Sequence, residues 1–341
     1  YYLRVVDGHH YSAYTPAPAV LAVPIYAVAR LAGAGDGAAA IGWLERIAAA
    51  AVVALSVAFV FLACRRRAGW LWSVTIALVY ALGTASHSLS SQALWQHGPS
   101  QLGLAVMAYG LMRGEREPRW LVFAAAAYSV AVTMRSSNLV LGAPLLVWLV
   151  WAHRDRLVAC AIAFAVPVAL LAAYYLATFG ALGPSGGGFE LGLLGGFRQT
   201  PLHEGLYGVL ASPVRGLFYY SPVLLFSIAG AAIAARRRDG LLIALAVGCA
   251  LVILVAAKWF VWWGGHCYGP RLLADLGPLL ACLLIPLERP FARRRIWIAP
   301  FALAAVVSIG VHTLGARLYD GAYDAYASTD TVYENLLRPG G

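Results

Sequence analysis

Apolar runs of about 15 to 23 residues, each closed by a short polar break, recur from Trp43 onward and leave few folds open to this chain. Wound as a helix rising 1.5 Å per residue, such a run covers most or all of a bilayer's roughly 30 Å hydrocarbon core. Runs near 43–64, 70–90, 98–112, 119–134, 138–152, 157–179, 220–235, 241–258, 271–287 and 296–315 predict an all-α, polytopic transmembrane bundle of about ten spans. The composition agrees, since 61% of the 341 residues are hydrophobic and 12% charged, far from a soluble domain. The runs are continuously apolar rather than alternating, which argues against a β-barrel.

The net charge of +10 does not point to nucleic acid, because the arginines cluster at the ends of the apolar runs. Arg65–Arg67, Arg113/Arg116/Arg119, Arg154/Arg156, Arg236–Arg238 and Arg289/Arg293–Arg295 fall on alternate breaks. Cytoplasmic breaks are the arginine-rich ones, so this parity predicts that both chain ends lie outside. Counting Thr15–Ala34 as a further span would split the clusters between the two sides. With Pro16, Pro18 and Pro24 breaking its helical pattern, that stretch reads as a jaw lying on the outer interface. The expected layout is one domain: an outer jaw segment at 1–42, the membrane bundle at 43–315 with an outer loop at 180–219, and an outer tail at 316–341. Within the loop, Glu190–Leu210 suits a surface helix. The first residue is Tyr1 and no signal-peptide pattern follows, so an N-terminally truncated chain is expected. Five scattered cysteines without CxxC spacing give neither a disulfide framework nor a zinc site.

Candidate chemistry concentrates on the outer breaks. In WWGGHCYGPR, Arg271 follows Gly269 and Pro270, which read as a helix start. Free backbone N–H groups and a guanidinium at the membrane edge suit an anion such as a lipid phosphate. The competing reading is an intrahelical ion pair with Asp275. Arg215, between two prolines and beside aromatics, is a second candidate; interfacial snorkelling explains it equally. Arg135 lies in a hairpin between two short runs, below the outer surface, where an arginine faces either a wet cavity or a carboxylate partner. Trp95, His97, Trp262, Trp263, His266 and Tyr268 suit sugar stacking and hydroxyl recognition, or an ordinary aromatic belt. Asp7, His9 and His10 form a metal-like pattern of low specificity.

Several stretches together carry a resemblance: DGHHYSAYTPAPAVLAVPIYAVARL, LERIAAAAVVALSVAFVFLACRRR, ALWQHGPSQLGLAVMAYGL, SPVRGLFYYSPVLL and WWGGHCYGPRLLADLGPLL. The chain resembles the GT-C superfamily of integral-membrane glycosyltransferases, nearest to bacterial relatives of the protein O-mannosyltransferases and of the lipid A aminoarabinose transferase. The resemblance implies transfer of a sugar, with inversion, from a polyprenyl-phosphate donor to a lipid, glycan or protein acceptor on the outer face of the bacterial cytoplasmic membrane. It implies a jaw at Tyr14–Pro18 framing the donor phosphate beside Arg271; Arg215 and Arg135, read from their positions, are expected as further phosphate ligands. Sugar or acceptor contacts are expected from His266, Tyr268, Trp263, Trp95, His97 and Glu204. The superfamily's general base follows its first span, a segment not present here; Asp7 is the nearest substitute, although its position suits a turn better. No cofactor is firmly implied, and a divalent metal stays open because the superfamily has members with and without one. The alternative function is a transporter or flippase for a lipid-linked or anionic solute, against which stands the lack of a repeat between the halves.

Overall fold

The computed structural model describes residues 3–12, 14–35, 37–183 and 200–319. It is helical apart from one antiparallel hairpin, β1 (Leu3–Val6) with β2 (His9–Ser12), in which Val6 pairs with His9. The two-residue turn between them has positive φ at both Asp7 (49°) and Gly8 (77°). This is the Asp-Gly signature of a tight hairpin turn, since both residue types tolerate the left-handed region.

Helix α1 (Ala17–Leu31) follows directly, so the prolines do not break the jaw as the sequence suggested. Pro16 caps it and Pro18 sits in the first turn, where a missing N–H costs nothing; Pro24 forfeits one mid-helix bond. Among its residues only Ala22 is buried, so α1 rests on the bundle rather than inside it.

The bundle comprises α2 (Ala38–Arg65), α3 (Trp70–Leu82), α4 (His97–Gly114), α5 (Arg119–Met134), α6 (Gly142–His153) and α7 (Leu157–Phe179). Next come α8 (Leu202–Leu210), within the expected outer loop, α9 (Leu217–Tyr220) at its end, α10 (Leu225–Arg236) and α11 (Gly240–Lys258). The chain closes with α12 (Gly277–Cys282), α13 (Glu288–Arg293) and α14 (Ile298–Leu318). Residues 190–199 of the expected surface helix lie outside the described residues, but α8 occupies its second half. Among the described residues, four helical stretches are long and apolar enough to cross a membrane: Ala38–Arg65, Ser136–Phe179, Gly240–Lys258 and Arg295–Leu318. The 44-residue stretch breaks at His153 (φ −148°, ψ 45°), where a 3₁₀ turn over Arg154–Arg156 separates α6 from α7. The expected run at 271–287 is not one helix. It alternates 3₁₀ turns (Arg271–Leu276, Ile285–Leu287) with α12, and Leu273–Leu287 is buried throughout. It is the axis of the bundle, and Trp72 Nε1 donates to its Leu284 carbonyl at 3.1 Å.

Without a strong hydrophobic drive in lipid, helices associate through close backbone approach, and small residues supply it. Along α4, Gly103 and Gly110 face Ala131 and Ala124 of α5, while Gly114 meets Leu121. Gly230 of α10 lies directly on the Leu283 carbonyl, and Gly205 of α8 on that of Ala257.

Four of the five arginine clusters meet at one end. Arg67 pairs with both Glu115 and Asp239 (2.7 Å to the latter), and Gly69 N donates to Glu288 at 2.9 Å. Between α4 and α5, Glu117 takes Arg113 at 3.1 Å and Arg119 at 2.9 Å. Hydrogen bonds from Arg119 and Arg113 hold its carboxyl well below the usual range, at about 2. Four of the five clustered breaks are thus joined or adjacent here. Because α4 runs from His97 to Gly114, its other end lies about 25 Å away.

Gly230→Ala is expected to lower stability by about 1–3 kcal/mol, because its Cβ overlaps a backbone oxygen that no side-chain rotation can relieve. Gly310→Ala, with nothing within 4 Å, should not destabilise. Thermal unfolding of both variants in one detergent checks the contrast.

Candidate functional site

At the His97 end of α4, three polar residues, His97, Ser100 and Gln101, share one face of the helix by their i, i+3, i+4 spacing. They point at the segment Arg271–Leu276, which is buried from Leu273 onward. Gln101 Nε2 donates to the Ala274 carbonyl at 2.7 Å, which fixes the two elements in register.

The centre of the cluster is Asp275, 1% exposed. One oxygen, Oδ1, faces His97 Nδ1 at 2.8 Å; the other, Oδ2, accepts from Ser100 Oγ at 2.9 Å, Arg135 Nη1 at 3.3 Å and Asn138 Nδ2 at 3.4 Å. Asn138 also donates to Ser100 Oγ at 2.7 Å. Arg135 ends α5 in an extended conformation (φ −146°, ψ 115°), and Asn138 sits in the following 3₁₀ turn, Ser136–Leu141, so this corner carries both donors. The carboxylate that the sequence left unidentified for Arg135 is Asp275.

Arg271 stands on the other side of His97. Its Nε donates to His97 Nε2 at 3.2 Å, its Nη1 to the Gly264 carbonyl at 3.3 Å, and its guanidinium lies 4.3 Å from the centre of the Trp95 ring. The direct pair with Asp275, the competing reading of Arg271, is not formed: the His97 imidazole stands between the two. The expected helix start is present, but as a short 3₁₀ turn capped by Pro270. Arg271 opens a six-residue 3₁₀ turn, and its own N–H is spent on the Gly269 carbonyl at 2.9 Å. What remains of the anion site is side-chain charge.

With Nε2 accepting from a guanidinium, the His97 proton lies on Nδ1 and points at the carboxylate. The backbone just before Trp95 is held by Glu45 of α2, whose Oε1 accepts from Leu94 N at 3.2 Å. Neither Glu45, Ser100, Gln101 nor Asn138 was singled out from the sequence. The polar face of α4 and an acidic residue inside an apolar run were the signals available.

The remaining candidates fall elsewhere. Arg215, 2% exposed, does not line the Arg271 cluster. Its Nε and Nη2 donate to the carbonyls of Trp263 (2.7 Å) and Gly265 (2.8 Å), bracing the 262–269 loop on the carbonyls that flank the one Arg271 uses. Positive φ at Gly264 and Gly265 (75° and 73°) turns these successive carbonyls toward the two arginines. Tyr268 is a tether rather than an open stacking platform: its hydroxyl donates to the Val311 carbonyl at 2.9 Å, and its ring lies on Gly315. Trp263 is half-buried, crossing Trp262 edge-on, while His266 and Trp95 are exposed. His97, 1% exposed, is internal rather than a sugar-stacking surface. Tyr14 is exposed beside the hairpin. Glu204 lies on α8 with His203 at 4.0 Å. Asp7 sits at the tip of the hairpin, a turn residue by its φ.

Among the described residues no group of three or more metal-ligating side chains gathers. His9 and His10 are neighbours on a strand and project to opposite faces. All five cysteines are free and buried. A second buried polar cluster pins α14: His312 faces Ser88 Oγ through Nδ1 at 2.7 Å and Ser221 Oγ through Nε2 at 2.8 Å.

No protein-family model, curated protein or solved structure matches the chain.

Removing Asp275 leaves the buried His97 and Arg135 without their shared acceptor, so Asp275→Ala should cost about 3–5 kcal/mol of stability. Arg271→Ala removes no partner of that carboxylate and should cost far less. Unfolding in detergent, followed by tryptophan fluorescence, orders the two.

Proposed function

We propose that this protein is a membrane glycosyltransferase that takes a sugar from a polyprenyl-phosphate donor and delivers it to an acceptor on the outer face of a bacterial cytoplasmic membrane. The observation that carries the reading is the pair Arg271 and Arg135, gathered around His97 at the bundle end remote from the arginine-rich breaks. Two guanidiniums at a membrane edge suit a phosphate, and the partly exposed Trp95 beneath Arg271 suits the face of a sugar ring. An apolar cavity of about 420 Å³ supports a lipid-linked substrate. It lies between α4, α5, α6 and α7 and includes Met107, Tyr128, Leu145, Trp148 and Phe164. Tyr128 joins it to the site's corner, its hydroxyl lying 2.8 Å from the Asn138 carbonyl.

In the proposed reaction the acceptor oxygen forms a bond to the anomeric carbon as the bond from that carbon to the phosphate oxygen breaks on the opposite face. The configuration inverts, and the arginines stabilise the charge gathering on the departing polyprenyl phosphate. The acceptor's proton passes to a base outside the Arg271 cluster, since both oxygens of Asp275 are already taken by protein donors.

The test is a polyprenyl-phosphate sugar, isotopically labelled, in proteoliposomes. Binding should fall roughly ten- to hundred-fold in Arg271→Ala, as expected for loss of charge-assisted hydrogen bonds worth about 1.5–3 kcal/mol. Movement of the intact donor across the bilayer without sugar transfer or release would favour the transporter instead.

The reading includes ten spans with both described ends outside. Cys267 cannot report this, because it is buried with its sulfur against the carbonyls of Gly264 and Gly265. The exposed neighbour His266 can. In a cysteine-free background, a membrane-impermeant thiol reagent on intact cells should label His266→Cys and spare Arg237→Cys. The reverse pattern would invert the protein.

A further inference from the structure

We infer that His97 is a positioning residue: clamped by Asp275, it sets the orientation of the Arg271 guanidinium and links it to Arg135, so that the two cations meet one phosphate as a unit. The inference rests on the phosphate-binding reading of Arg271 given above and assigns a role to a residue that, at 1% exposure, touches no ligand itself.

Both ring nitrogens are committed, in opposite directions. Asp275 Oδ1 at 2.8 Å holds the Nδ1–H, and the carboxylate is itself kept from turning because Ser100 and Asn138 hold its other oxygen. The ring plane and tautomer are thereby fixed, and Nε2 presents one lone pair in one direction. Arg271 Nε is drawn to that lone pair at 3.2 Å. Nε is the donor nearest the aliphatic stem, so anchoring it determines which edge of the planar fork turns outward. The Gly264 carbonyl and the Trp95 face then hold the plane. Arg135 Nη1 reaches the same pair from the other side, 3.2 Å from His97 Nδ1 and 3.3 Å from Asp275 Oδ2. Without the imidazole Arg271 keeps its charge and its tryptophan but loses its direction.

The experiment uses the full chain in lipid nanodiscs, decaprenyl monophosphate as the probe, and ¹⁵N-arginine labelling to follow the Arg271 Nε–H resonance, assigned by its loss in Arg271→Lys. His97→Leu should weaken probe binding tenfold or more and move that resonance. His97→Gln, whose amide can still accept from Arg271 and donate to Asp275, should bind within threefold of the parent and leave the resonance near its place. Should the leucine variant fail to fold, His97→Asn, which is long enough for Asp275 but too short for Arg271, should show the same loss. Parent-like binding with an unmoved resonance in the leucine or asparagine variant overturns the inference, as does glutamine failing as badly as leucine. If the parent itself does not bind the probe, the phosphate reading fails separately. The resonance then decides the positioning role: moved by leucine and kept by glutamine supports it, unmoved by leucine rejects it.

Discussion

One buried carboxylate organises this end of the protein. Ionised Asp275 is costly to hold in an apolar interior, and the cost is offset only when its oxygens are filled by good donors. Those donors come from two places far apart in sequence, the first turn of α4 and the corner after α5, while Asp275 itself belongs to the axial segment. Satisfying one charge therefore locks three elements together. It also brings a second guanidinium, Arg271, to the Nε2 side of His97.

The loop 262–269 completes the arrangement from the other flank. Three successive carbonyls, those of Trp263, Gly264 and Gly265, accept from two arginines, Arg215 taking the first and third and Arg271 the middle one. Only glycine adopts two consecutive left-handed conformations at little cost, so the loop's sequence and its ability to receive both cations are the same property. Arg215 and Arg271 looked alike in the sequence, each beside proline and aromatics. They differ because one is buried on backbone carbonyls and the other is half-exposed between an imidazole and an indole.

Close packing lets these polar contacts form. The glycine and alanine seam between α4 and α5 brings the start of α4 against the Arg135 corner, and Gly230 lets α10 lie on the axial segment. At the opposite end Arg67 joins Glu115 and Asp239. The two ends thus differ in kind: several arginines sharing a few accessible carboxylates on one side, and on the other a buried carboxylate that holds Arg135 directly and reaches Arg271 only through His97.

Most of the helices were legible from apolar periodicity alone, because continuous hydrophobic runs and arginine-rich breaks are local signals that lipid enforces along the chain. The Asp-Gly turn was legible for the same reason. The prolines before and within α1 misled, since proline's cost depends on where in the helix it falls. The axial segment misled too: a run buried by neighbouring helices is as apolar as one facing lipid, and composition does not separate them. Arg271 and Arg135 were visible as charges out of place, yet their partners were not, because His97, Ser100, Asn138 and Asp275 lie as much as 178 residues apart and meet only through packing. The sequence by itself determined which stretches are helical and where the arginines collect, both consequences of short-range chemistry. Which cation faces outward and which is spent on the protein was decided by the tertiary structure, because a guanidinium's availability depends on the acceptors that folding brings to it.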